Sequence, residues 1–127
     1  MFVLVGILTA SCATAPSDPD MLGGREVYAT CAACHGADGS GGVGPALEGV
    51  RTTFEDCADH IRWIRLGSER WKTEVGPSYG SQNAVIDKVM PSFDSLDDRA
   101  IRQVAMYERV RFGGGDVESE RASCGLG

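Results

Sequence analysis

Cys31-Ala32-Ala33-Cys34-His35 constrains this chain more than any other stretch. Cys-x-x-Cys-His is the attachment sequence for c-type haem. On a helix, residues three apart share a face, so Cys31 and Cys34 present both sulfurs to one edge of a flat macrocycle. Each thiol can add to a vinyl group and tether the porphyrin covalently. His35 follows at once and can bring its imidazole under the iron as the proximal ligand. Two other chemistries use paired cysteines. A zinc site wants a second ligand pair, and none stands in the sequence: His60 is the only other histidine, and Cys57 and Cys124 are far apart. A thioredoxin-like dithiol wants a βαβ context and usually an aromatic residue or proline beside the first cysteine, not Ala32-Ala33 leading into His35-Gly36. The expectation is one covalent haem c whose iron is held by His35.

At 127 residues the chain has room for one small domain. Such a domain buries a modest core, and a bulky apolar cofactor adds much to it. The formal net charge is −6 before any haem propionates. That balance argues against nucleic acid or an anionic membrane as an electrostatic partner. Lys72 and Lys88 are the only lysines, so a dense lysine ring is missing too. Protein redox partners steered by charge should therefore offer a basic docking patch.

Met1 to Ala10 is apolar but too short to span a bilayer. Residues 1–12 resemble an export signal that lacks its basic N-terminal part, as a truncated signal would. Leu8-Thr9-Ala10-Ser11-Cys12 resembles a bacterial lipobox, with Leu8 one position early and Thr9 in its usual place. In that reading Cys12 becomes the acylated N-terminus and supplies the only membrane contact. The alternative is cleavage after Ala13 or Ala15, which removes Cys12. Both readings imply export to the periplasm or the outer face of the cytoplasmic membrane, an oxidising setting that suits haem attachment. Residues 13–21 read as a tether with two prolines and small residues. Asp18 or Asp20 then offers an N-cap for a helix from about Met21 to Ala33. Gly24 and Tyr28 lie one turn apart on it. A glycine inside a helix costs about 1 kcal/mol relative to alanine, so Gly23-Gly24 points to close approach of another backbone.

Gly36 to Gly44 reads as a flexible loop without the Gly-Lys-Ser/Thr of a phosphate site. It ends in Gly44-Pro45-Ala46-Leu47, where the Pro45 carbonyl could accept from His35 Nδ1–H and fix the ring. Thr52-Thr53-Phe54-Glu55 has the form of a capping box opening a second helix. Phe54, Cys57, Ala58, Ile61 and Ile64 give that helix one apolar face, and Gly67 closes it. Arg62, Trp63 and Arg65 fall on the other side, as a solvated face or a docking strip. His60 flanks the apolar stripe and is expected at the surface, the alternative being a second haem ligand. Trp71 to Lys88 reads as loop, with breakers from Gly76 to Gly80.

Met90-Pro91-Ser92-Phe93 follows. The Met90 thioether is a soft ligand able to complete the iron's sixth position and raise its potential; the alternative is a core methionine filling a gap. Pro91 keeps Met90 out of helical geometry. Ser95-Leu96-Asp97-Asp98 caps a last helix with Ile101, Val104 and Ala105 on its apolar face, and Met106 opposite it. After Phe112 three glycines lead into a polar tail, residues 114–127. With Cys31 and Cys34 assigned to haem, Cys57 and Cys124 remain for a disulfide closing a loop worth roughly 4 kcal/mol. The alternative is a buried Cys57 and an unpaired Cys124.

From about Leu22 to Gly113 the sequence resembles a class I c-type cytochrome, a monohaem cytochrome c domain. The resemblance rests on Gly24 and Tyr28, Cys31 to Gly36, Gly44 to Leu47, Met90 to Phe93 and the closing helix with Tyr107; the segment from Val50 to Lys88 matches only in its helix. It implies an all-α cytochrome c fold, three to five short helices wrapped around one covalent haem with one edge exposed. It also implies that the first and last helices cross at Gly24, Tyr28 and Tyr107, that the Pro45 carbonyl buttresses His35, and that Leu47 packs on the haem. The function implied is one-electron transfer with His35 and Met90 as axial ligands, so no open iron site for substrate chemistry. Donors and acceptors would be a respiratory complex, a terminal oxidase or a periplasmic dehydrogenase. Two other readings share these residues: a haem-based gas-binding or sensing module, and the electron-accepting subunit of a separate catalytic polypeptide.

Overall fold

The computed structural model describes residues 18–127. The export-signal segment, Cys12 and the tether up to Ser17 lie outside the described residues. Within them the chain forms five helices and one short hairpin: α1 (Pro19–His35), α2 (Val50–Thr53), α3 (Cys57–Glu74), β1 (Ser78–Tyr79), β2 (Ala84–Val85), α4 (Asp98–Arg111) and α5 (Val117–Ser123). The strands pair antiparallel, Ser78 opposite Val85 and Tyr79 opposite Ala84. The fold is all-α apart from that hairpin, as expected.

Asp18 opens α1, accepting from the amides of Asp20 and Met21 at 3.0 Å each. Pro19 needs no acceptor in the first turn, so the helix starts two residues before the expected Met21. α1 crosses α4 at the positions the family resemblance implied. A Cβ on Gly24 would lie 2.3 Å from the Gln103 carbonyl oxygen and 2.5 Å from Tyr107 Cβ. Beside this contact the Tyr28 ring packs 5.5 Å from Tyr107 and 4.9 Å from Phe112. At the start of α1 the buried Asp20 accepts from Arg99 and from Gln103 of α4, and from Arg121 of α5.

The start of α3 corrects the capping-box expectation. Thr52 and Thr53 close the short α2, and α3 begins at Cys57 with Asp56 in the cap position and no side-chain capping bond. Buried Arg109 explains the gap: it donates to the carbonyls of Phe54 at 2.6 Å and Glu55 at 3.2 Å, holding the link extended. Cys57, Ile61 and Ile64 face the main core with Tyr28, Val104 and Met106. Ala58 is exposed, whereas Trp63 joins a second core with Val50, Phe54, Leu66, Trp71 and Ile86. α3 therefore lies between two apolar clusters, and the Arg62-Trp63-Arg65 strip is not one solvated face. Gly67 breaks the helix with φ 68° and ψ 175°, after which it resumes to Glu74. The expected loop thus holds the last turn of α3 and the hairpin.

α4 is capped by Asp97, which accepts from the Ala100 amide at 2.8 Å. Ile101, Val104 and Ala105 are buried as expected, but so are Met106, Tyr107, Glu108 and Arg109. α4 touches α1, α2, α3 and α5, so every residue from Val104 to Arg109 is buried, and only its last turn reaches solvent at Arg111. The polar tail is also structure. α5 is joined to the start of α3 by the Cys57–Cys124 disulfide, with Cα atoms 5.1 Å apart. Cys124 and Leu126 enter the main core, and Glu120 pairs with Arg109 and Arg51.

Candidate metal centre

His35 is the last residue of α1, and the helix that orders Cys31 and Cys34 also fixes its position. The chain then turns back: the Gly41 amide donates to the His35 carbonyl at 2.8 Å and the Gly44 amide to the Cys34 carbonyl at 2.9 Å. Tyr28 OH adds a bond to the Gly36 carbonyl at 2.6 Å. This brings the Pro45 carbonyl within 2.8 Å of His35 Nδ1. A carbonyl can only accept, so Nδ1 carries the proton and Nε2 keeps its lone pair for a metal.

His35, Pro45, Leu47 and Met90 line one open, largely apolar cleft, walled further by Phe54, His60, Trp63 and Tyr79. Met90 is half-buried and touches both apolar clusters. Met106 has no exposed surface and lies in the main core, away from the cleft lining. Burial, not the outward direction expected for it, removes it as a competing ligand.

Cys31 and Cys34, expected from the sequence to attach the haem, are unpaired thiols that do not line this cleft: Cys31 is buried in the main core and Cys34 is exposed. Burial above all, then the charges of Glu108 and Cys34, pushes the Cys31 thiol up to about 12. It therefore stays a neutral thiol near neutral pH.

His60 overturns the surface expectation. It is 2 % exposed, its Nε2 donates to Glu108 Oε2 at 3.0 Å, and its ring stacks on Phe54 at 5.1 Å. Its Nδ1 is the buried side-chain nitrogen or oxygen left without a partner among the described residues. The spacing did carry a signal, since His60 follows Cys57 by three residues and precedes Ile64 by four, on the same stripe. Its acidic partner lies 48 residues away, and that could not be read locally.

These residues fit a haem. An imidazole with a free Nε2 and a thioether line a single cleft with apolar and aromatic walls. The orphaned His60 nitrogen offers a polar contact to whatever fills it, and two thiols remain for attachment. No such accounting is needed for a zinc site: among the described residues no group of three or more His, Cys, Asp or Glu is clustered to hold a metal.

Residues 22–107 match the family model described as Cytochrome c. Among curated proteins no match is found. The cleft and the match agree, and the chain belongs to the cytochrome c family of haem-based electron-transfer proteins, which bind c-type haem and its iron covalently.

Proposed function

We propose that this protein is a one-electron carrier in which His35 and Met90 are the two axial ligands of a haem attached through Cys31 and Cys34. The observation that carries the reading is the shared cleft of His35 and Met90, with His35 Nδ1 committed to Pro45. When bound, the haem supplies a single Fe(III)/Fe(II) couple. The chain's own part is to orient and to exclude. Pro45 sets the imidazole's tautomer, Leu47 and the aromatic wall keep water from the cleft, and Met90 closes the remaining ligand position. His60 is the weaker candidate for that position, because its Nε2 is already bonded to Glu108.

Docking follows from charge. At a net −6 the protein should meet partners through their basic surface, so association should weaken as salt rises. The apolar N-terminal run supports export, with attachment to the membrane through lipid on Cys12 if the lipobox is used.

The test is an optical spectrum of protein exported by a strain that attaches haem, recorded oxidised and reduced. A far-red band of sulfur-ligated ferric haem is expected, lost in Met90→Ala, together with slow or absent carbon monoxide binding in the unaltered protein. Attached haem without that band would remove Met90 from the reading.

A further inference from the structure

Five hydrogen bonds join the segment Met90–Phe93 to the place where α3 breaks, the longest from the Ser68 hydroxyl to the Met90 carbonyl at 3.4 Å. The Ser68 amide donates to the Met90 carbonyl at 2.9 Å, and the Met90 amide donates back to Ser68 Oγ at 3.0 Å. One turn earlier, the Phe93 amide donates to the Ile64 carbonyl at 3.2 Å and the Ser92 hydroxyl to the Arg65 carbonyl at 2.8 Å. In an unbroken α-helix the Ser68 amide would donate to the Ile64 carbonyl. Here the positive φ of Gly67 turns that amide away from its own helix and onto Met90, and Phe93 takes up the released carbonyl.

Only glycine suits the position twice over. Its φ of 68° is one that side chains rarely adopt, and a Cβ would lie 2.6 Å from the Ser92 amide and 2.7 Å from the Met90 carbonyl oxygen. Ser68 has no exposed surface, so its hydroxyl cannot trade Met90 for water without local opening.

We propose that the break at Gly67-Ser68 is a clasp for Met90, and that Ser68 is a positioning residue that sets where the thioether sits by holding the Met90 backbone. This rests on Met90 being the sixth iron ligand. Pro91 gives Met90 an extended backbone but no anchor. The reciprocal pair with Ser68 supplies the anchor, and α3 carries it as a rigid arm between the two apolar clusters.

The test uses the haem-loaded protein and its variants Ser68→Ala, Ser68→Thr and Met90→Ala. Removing the hydroxyl leaves the Met90 amide without its acceptor, so the ligand-off form should become about tenfold more populated. Carbon monoxide reports that form directly: binding to reduced Ser68→Ala should be about tenfold faster. The far-red band should be lost earlier on warming than the helical circular dichroism. Ser68→Thr keeps the oxygen and should return both towards the unaltered protein. Wild-type carbon monoxide kinetics and a wild-type band in folded Ser68→Ala overturn the clasp. If Ser68→Ala gives no haem-loaded protein, Ser92→Ala replaces it: its hydroxyl is exposed, and faster carbon monoxide binding supports the clasp while unchanged binding overturns it. A far-red band that survives Met90→Ala defeats the ligand reading, and the clasp with it. A band lost in Met90→Ala but untouched in Ser68→Ala defeats the clasp alone.

Discussion

Two glycines with opposite surroundings show what a single residue contributes. Gly24 meets the backbone of α4 at Gln103, and a carbonyl in mid-helix cannot step aside as a side-chain tip can. Gly24→Ala should therefore destabilise the fold by about 3 kcal/mol, the upper part of the overpacking range. Gly49 has φ −90°, and nothing lies within 4 Å of where its Cβ would be. Gly49→Ala should be neutral or stabilising by about 0.5 kcal/mol, through loss of freedom in the unfolded chain. Denaturant midpoints of the two variants decide the matter, and equal shifts would sink the crossing argument. Gly24 was legible in the sequence because a glycine inside a helix costs stability and so needs a reason. The family was legible for a similar reason, since the Cys31-Cys34-His35 pattern lies within five adjacent residues. The burial of Trp63 and Met106 was not legible, and His60 was readable only by its place on the stripe, not by its partner. Each lies on a helix buried on more than one side, and a single-face reading sends residues such as Trp63 and Met106 into solvent. The second core around Phe54 and Trp71 explains why Trp63 is inside, the Phe54 ring and the carboxylate of Glu108 explain His60, and Met106 fills the main core.

α5 is the element whose attachment can be tested most directly. The Cys57–Cys124 bridge spans 67 residues of sequence, and cross-linking a loop of that length removes unfolded-state entropy worth roughly 4 kcal/mol. Replacing both cysteines by alanine should lower stability by about that amount. The same double variant should leave the haem spectrum unchanged, because neither cysteine lines the cleft. Ion pairs of Glu120 with Arg109 and Arg51 and of Arg121 with Asp18 and Asp20 remain to hold α5 in place. An altered spectrum would mean that the bridge positions α3 for the cleft as well. The bridge was readable from the cysteine count, but the helix containing it was not. Val117 to Ser123 is short and polar, and its order comes from partners on α1, α3 and α4. The capping box failed in the same way: Thr52 and Glu55 have the right local pattern, yet Arg109, more than fifty residues later, takes the Phe54 and Glu55 carbonyls. The hairpin at Ser78–Val85 has two residues per strand, too few for an alternation to appear in the sequence.

Across the whole molecule the two ends of the described chain meet: Arg121 pairs with Asp18 and Asp20, joining α5 to the first turn of α1. Asp18 also caps α1. The Met21 amide, and then the Arg121 charge, hold its carboxyl below the usual value of 3.8. Asp116, which caps α5, is lowered by its bond from the Ser119 amide, and Asp98 by Arg102. A carboxylate whose folded value is depressed adds stability that is fully present above its unfolded value and is lost as pH falls through the folded one. Stability should thus fall below about pH 4 as these caps and pairs are neutralised. Asp98 and Asp116 are exposed and Asp18 is half-buried at the surface, so each contribution is small and screened by salt. The comparison that isolates Asp18 is with Asp18→Asn, because asparagine can still cap the helix but cannot pair with Arg121 as an anion. Near neutral pH the variant should be less stable than the unaltered protein. The gap should close as pH drops, since protonated Asp18 is then no better a partner than asparagine. A gap that persists unchanged in acid would assign the effect of Asp18 to cap geometry and not to its charge.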